Sequence, residues 1–158
     1  MKKLLNILLA ISIIFSACKK EEETTPPPPS PSIQISGDLT VNGNASSMMT
    51  SHLTVTNVSN NTLDVGCRIN IIAQEPSTTI QFCWGEACYP DGVTVASNTV
   101  PMTSNQMVVF PDLPAHSGYY NANGDKNATA QVEYCFYDDA NPSDETCFIV
   151  TFDPSISK

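Results

Sequence analysis

The chain is poor in positive charge, in histidine and in long apolar runs. Seven of its 158 residues are Lys or Arg against sixteen Asp and Glu, and four of those seven (Lys2, Lys3, Lys19, Lys20) fall within the first twenty positions. From residue 33 onward, sixteen acids less Glu21, Glu22 and Glu23 leave thirteen, against Arg68, Lys126 and Lys158, a balance of −10. Nucleic acid is not an expected partner, because neutralising phosphates takes clustered Lys and Arg. An acidic surface repels anionic headgroups as well, so membrane contact through the domain itself is not expected. The only histidines are His52, in a strand pattern, and His116, in an apparent loop. No Gly-x-Ser-x-Gly or His-Glu-x-x-His segment accompanies them. Cys83 and Cys88 are spaced Cys-x4-Cys without a second pair or a histidine cluster, which is not a zinc set. The sequence therefore assigns no catalytic residue, no metal and no cofactor, and an enzyme is not expected.

The longest apolar stretch, Leu4 to Phe15, has twelve residues, whereas a bilayer-spanning helix needs about 20. Lys2 and Lys3 precede it and the small residues Ser16 and Ala17 follow, the pattern of an export signal. Phe15-Ser16-Ala17-Cys18 resembles a bacterial lipobox, with Phe15 where Leu is usual. The resemblance implies a signal peptide over 1–17, diacylglycerol on the Cys18 thiol, fatty acid on its new amine, and a lipid anchor in the outer membrane. Lys19-Lys20-Glu21-Glu22-Glu23 resembles the short export signal of Bacteroidota surface lipoproteins, which implies an outward-facing protein, with the periplasmic face as the alternative. Pro26 to Pro29 and Pro31 then favour extended polyproline II, so 18–32 is expected to be the lipidated cysteine plus a stiff tether.

Residues 33–158 have the length of one domain. Apolar residues recur there at every second position: Leu63, Val65, Cys67, Ile69 and Ile71 alternate with Asp64, Gly66, Arg68 and Asn70, and Leu53 and Val55 alternate with Thr54 and Thr56. Further strand-like runs cover 33–41, 79–83, 92–96, 106–110, 128–137 and 146–152, separated by turn-forming clusters. The expected fold is all-β, an immunoglobulin-like sandwich of seven or eight antiparallel strands. Placing Cys135 opposite Cys147, about a loop centred on Asn141, pairs Tyr134 with Phe148, Val132 with Val150 and Ala130 with Phe152 on an apolar face. Glu133 and Gln131 meet Ile149 and Thr151 on the other. A Cys135–Cys147 disulfide on that outer face is expected, with Cys83–Cys88 closing a Gly-containing loop and Cys67 left as a buried thiol. The alternative joins Cys67 to Cys135 across the core, which would turn Glu133 inward.

The segments 82–90 and 134–144 resemble pieces of uncharacterised exported β-domains of the same phylum; the resemblance implies address and fold and brings no activity with it. Oxygen-rich loops at 121–127 and 138–145 have calcium-like spacing but also the composition of ordinary turns. If strands simply run up and down, loops 58–62, 84–92 and 111–127 emerge at one end and the acidic turn 138–144 at the other. Trp84, Tyr89, His116, Tyr119 and Tyr120 would then form a ligand-binding end, unless the rings plug the core instead. The functional expectation is a non-catalytic binding or adhesion module for a protein or glycan, or alternatively an accessory subunit of an outer-membrane assembly.

Overall fold

In the computed structural model, which describes residues 30–112 and 115–155, the period-two alternation becomes strands, with no helix among the described residues. Cys18, the Lys19–Glu23 run and most of the proline tether lie outside the described residues. The strands are β1 (Ile33–Gly37), β2 (Thr40–Asn42), β3 (Met49–Ser51), β4 (Leu53–Asn57), β5 (Leu63–Ala73), β6 (Thr79–Gly85), β7 (Ala87–Tyr89), β8 (Val100–Met102), β9 (Met107–Val108), β10 (Ala115–Asn121), β11 (Ala130–Asp138) and β12 (Asn141–Asp153). They form sheets in the orders β1-β4-β9, β3-β10-β6-β7 and β2-β12-β11-β5-β8.

There are more strand segments than expected because single runs break where the chain changes sheets. The run 33–41 divides at Asp38 and Leu39: β1 pairs with β4, while β2 joins β12, and that pair is parallel. The run 92–96 forms no strand of its own. Its backbone completes the edge of β5 instead, with Ile69 N–H donating to Thr94 O and Ala96 N–H to Cys67 O. The stretch 115–121, expected as loop, is strand β10, and this reverses the parity on which the sequence reading of the two ends rested.

The hairpin of β11 and β12 has the expected register, with Cys135 opposite Cys147, Tyr134 opposite Phe148 and Val132 opposite Val150. Its loop is tighter than expected. The register shifts after Tyr137 so that Asp138 pairs with Asn141, and the irregularity absorbs Pro142, Ser143 and Asp144 into the start of β12. Both expected disulfides are present, Cys83–Cys88 and Cys135–Cys147, and Cys67 is a buried free thiol. The Cys67–Cys135 alternative fails for the reason the alternation gives: Cys67 faces inward from β5, whereas Cys135 faces outward across from Arg68. Burial also raises the Cys67 pKa, so the thiol stays protonated and inert.

The core gathers the inner faces of the four- and five-stranded sheets, joined by Ile33, Leu53, Val55 and Val108 of the three-stranded sheet. Trp84 meets Phe136 edge-on with centroids 4.9 Å apart, His116 meets Tyr134 at 4.6 Å, and Tyr120 lies against Phe152 at 5.4 Å. Each pair joins one sheet to the other. Trp84 Nε1–H donates to Val65 O and Tyr120 Oη–H to Ala128 O, so both large rings are buried with their donors satisfied. Gly118 is required by this packing, since a Cβ there would lie 2.1 Å from the Tyr134 hydroxyl and 2.6 Å from Ser51 Oγ. Gly118→Ala is expected to cost ~1–3 kcal/mol through overpacking of a buried, rigid ring. Adding Tyr134→Phe, which removes the clashing oxygen, should recover part of that loss in urea denaturation. A wild-type midpoint for the single variant would show that Tyr134 yields freely.

Candidate functional site

The two ends of the sandwich are fixed by backbone contacts. At one end Ser32 N–H donates to Asp144 Oδ1, Val58 N–H donates to Ser32 O, and Asp139 N–H donates to Asp64 O. The loop 58–62, the β6–β7 turn and the acidic β11–β12 turn all lie at this Ser32 end. At the opposite end Gly124 N–H reaches Ala45 O and Asn123 Nδ2 reaches Ser77 O, which gathers the loops 43–48, 74–78 and 122–129. Loop 58–62 and the acidic turn thus share an end, contrary to expectation, because the additional strands change the parity.

The five aromatic and histidine candidates do not form a loop cluster. Trp84 lies on β6, Tyr89 on β7, and His116, Tyr119 and Tyr120 on β10. A two-residue turn at Gly85 and Glu86 joins β6 to β7, with Gly85 at the positive φ of 64° such hairpins need. That turn places Trp84 opposite Ala87 on the inner face, not on a loop tip. Trp84, His116 and Tyr120 have no exposed surface and Tyr89 is buried, stacked on Phe82 with its hydroxyl bonded to Asn98 Oδ1. These four rings plug the core, the reading of the aromatic residues that the sequence itself favoured over a binding end.

Tyr119 is the exception. Residues alternate across β10, so Tyr119 and Ser117 point outward while His116 and Tyr120 point in. With Met48, Gln81 and the Cys83–Cys88 disulfide, Tyr119 lines a shallow cleft of ≈ 340 Å³ on the outer face of the four-stranded sheet. Nearby, His52 Nδ1 lies 3.1 Å from Ser117 Oγ, and the His52 ring stacks on Phe110 with centroids 3.9 Å apart. Sequence reasoning did not bring this histidine–serine pair together, since the two residues come from different strands. It lacks the parts of a hydrolytic site: Ser117 is buried, and no carboxylate bonds to His52 among the described residues. The calcium-like loops use their oxygens on their own turns. Asn121 Oδ1 accepts from Asn123 N–H, Asp125 Oδ1 from Asn127 N–H and Asp138 Oδ1 from Ala140 N–H, while Glu145 binds Arg68 at 2.6 Å.

No family model matches the chain and no curated protein matches it. Among solved structures, the chain is similar to the N-terminal domain of PorA, at 14% identity and a TM-score of 0.51, over 77% of this chain and 96% of that one. The ASH/PapD-like domain of human CEP192 matches at 11% identity and a TM-score of 0.48, over 96% and 99% of the two chains. A FixG-related protein from Vibrio parahaemolyticus matches at 9% and 0.48, over 78% and 95%. The fold is an immunoglobulin-like, all-β sandwich. At such identities the likeness concerns fold alone.

His116 is fully buried in the core. Neither ring nitrogen has a hydrogen-bond partner, and the ring meets the Tyr134 and Phe136 rings edge-on. Desolvation, with a smaller repulsion from His52, lowers its pKa to about 3. In the unfolded chain a histidine titrates near 6.5, so below that pH the unfolded state binds the proton and the native state refuses it. Above pH ~6.5 the protonation-linked cost vanishes; as pH falls below this, stability should drop by ~1.4 kcal/mol per unit. Denaturant midpoints between pH 7 and pH 4.5 measure the slope, and His116→Leu should flatten it. In a separate check, Tyr120→Ala should cost ~3–5 kcal/mol, the scale for truncating a buried ring. Tyr119→Ala should cost under ~1 kcal/mol, and equal losses would contradict the inward and outward assignment of β10.

Proposed function

We propose that this protein is a lipid-anchored, non-catalytic binding module, displayed on the outer membrane of a bacterium and probing its surroundings with the surfaces away from the Ser32 end. The observation that carries this reading is how Ser32 is held. Its N–H and C=O are both bonded at one end of the sandwich, to Asp144 and Val58. A tether arriving there from Cys18 leaves the loops 43–48, 74–78 and 122–129 pointing away from the anchor, and the Tyr119 face at the side. The acidic groups around Ser32, among them Asp64, Asp138, Asp139, Asp144 and Glu145, would keep the domain off an anionic headgroup layer. A proline-rich spacer at ~3.1 Å per residue adds distance.

The contact residue favoured by this reading is Tyr119. It is half-buried and rigid in its strand, beside an amide (Gln81) and an apolar side chain (Met48), a combination that suits a glycan or a protein surface.

Two measurements test the reading. Cys18→Ala should abolish incorporation of a fatty-acid analogue and membrane retention while leaving the β-sheet circular dichroism unchanged. Persisting label, or none in the wild type, removes the anchor. Tyr119→Ala should weaken binding of the soluble domain to envelope fractions about tenfold or more while lowering its melting temperature by no more than a few degrees. Undiminished binding moves the contact surface elsewhere.

A further inference from the structure

The outer face of the five-stranded sheet carries a second cluster, unrelated to the anchor or to the Tyr119 face. One carboxylate oxygen of Glu133 and the Sγ atoms of Cys135 and Cys147 all lie within 4.8 Å of one another. The register produces this grouping: Cys135 is directly opposite Cys147, and Glu133 stands two residues earlier on the same face of β11. Asn70, opposite Glu133 on β5, donates from Nδ2 to Glu133 Oε2 at 3.3 Å, which orients the carboxylate. Arg68, opposite Cys135, is clamped by Glu145 through its Nε and Nη2.

While the disulfide is intact its sulfurs are not available as thiolate ligands. We propose that reduction of Cys135–Cys147 by a dithiol converts Glu133, Cys135 and Cys147 into a binding site for Zn²⁺ or a similar borderline-soft divalent cation. In the reduction the dithiol passes two electrons and two protons to the S–S bond and becomes a disulfide itself, leaving two cysteine thiols. Cys147, the exposed partner, is the sulfur open to attack, whereas Cys135 is 2% exposed. Metal binding then displaces the two thiol protons, giving two thiolates, one carboxylate and one water around the ion, a four-coordinate set. Bond lengths of ~2.3 Å to sulfur and ~2.0–2.2 Å to oxygen are within reach of atoms so grouped.

The charges agree with this assignment. A divalent ion with three anionic ligands carries one net negative charge, and the neighbouring Arg68 guanidinium attracts it. The other disulfide, Cys83–Cys88, belongs to no such grouping of three ligand atoms within 4.8 Å among the described residues, so it does not complete a set. Reduction would therefore open one metal site on the domain and leave the Tyr119 face without one.

The test uses the full chain, freed of metal, reduced with a non-chelating phosphine and titrated with Co²⁺. The expected result is a sulfur-to-cobalt charge-transfer absorption that Zn²⁺ displaces and the oxidised protein lacks, with the β-sheet circular dichroism retained. Glu133→Gln should weaken Co²⁺ binding about tenfold or more. Cys135→Ser with Cys147→Ser should abolish the band, and Cys83→Ser with Cys88→Ser should keep it. The proposal is overturned by any of four results: no band from the reduced chain, a band that follows Cys83 and Cys88, unchanged affinity in Glu133→Gln, or loss of the sheet on reduction.

Discussion

Strand β11 holds the domain together through the strict alternation of its side chains. Ala130, Val132, Tyr134 and Phe136 are fully buried, and the strand pairs with β12 on one side and β5 on the other. Every aromatic contact that ties the four-stranded sheet to the five-stranded one ends on this strand or on its partner β12. A slip of one residue would exchange this face for Gln131, Glu133 and Cys135, burying a carboxylate and exposing the rings of Tyr134 and Phe136. The Cys135–Cys147 bridge fixes the same register covalently. Gly118 is a consequence of it, because the Tyr134 hydroxyl fills the space a side chain on β10 would need.

The same burial explains why the obvious functional candidates are structural. An aromatic residue is suited to a binding loop and to a core for one reason, a large apolar area with a polar tip, and composition does not distinguish the two. Trp84 and Tyr120 find backbone carbonyls for their donors inside the core. His116 finds none, and it is accommodated by edge-on contact with Tyr134 and Phe136 at the expense of its basicity. Tyr134 and Cys67 are shifted the other way by the same desolvation, so all three groups are held in their neutral forms.

On the surface, polar chemistry is divided among three places. The Ser32 end gathers the acids, the outer face of the four-stranded sheet offers Tyr119 in a shallow cleft, and the outer face of the five-stranded sheet carries Arg68, Glu133 and Glu145 around the exposed disulfide. A sandwich separates these surfaces because each sheet has one inward face, leaving its outer face free for unrelated chemistry.

The sequence by itself determined what depends on neighbours along the chain or across one hairpin. Period-two alternation gave the all-β class, and the symmetry of Cys135 and Cys147 about their turn gave the pairing from Ala130–Phe152 to Cys135–Cys147, both disulfides and the buried Cys67. A local register leaves a hydrophobic face one way to turn, so such features need no knowledge of distant residues. The tertiary structure alone decided which strands are neighbours. β10 went unrecognised as a strand because Ala115 to Asn121 has no period-two alternation, Ser117 and Gly118 being adjacent small residues and Tyr119 and Tyr120 adjacent rings, and its inner face is buried by Tyr134, Phe136 and Phe152 of the opposite sheet. Once β10 is a strand, the ends to which the loops belong, the outward turn of Tyr119 and the meeting of His52 with Ser117 all follow. Those relations join residues 65 or more positions apart in the case of His52 and Ser117, a separation at which alternation within a single strand carries no information about its partner.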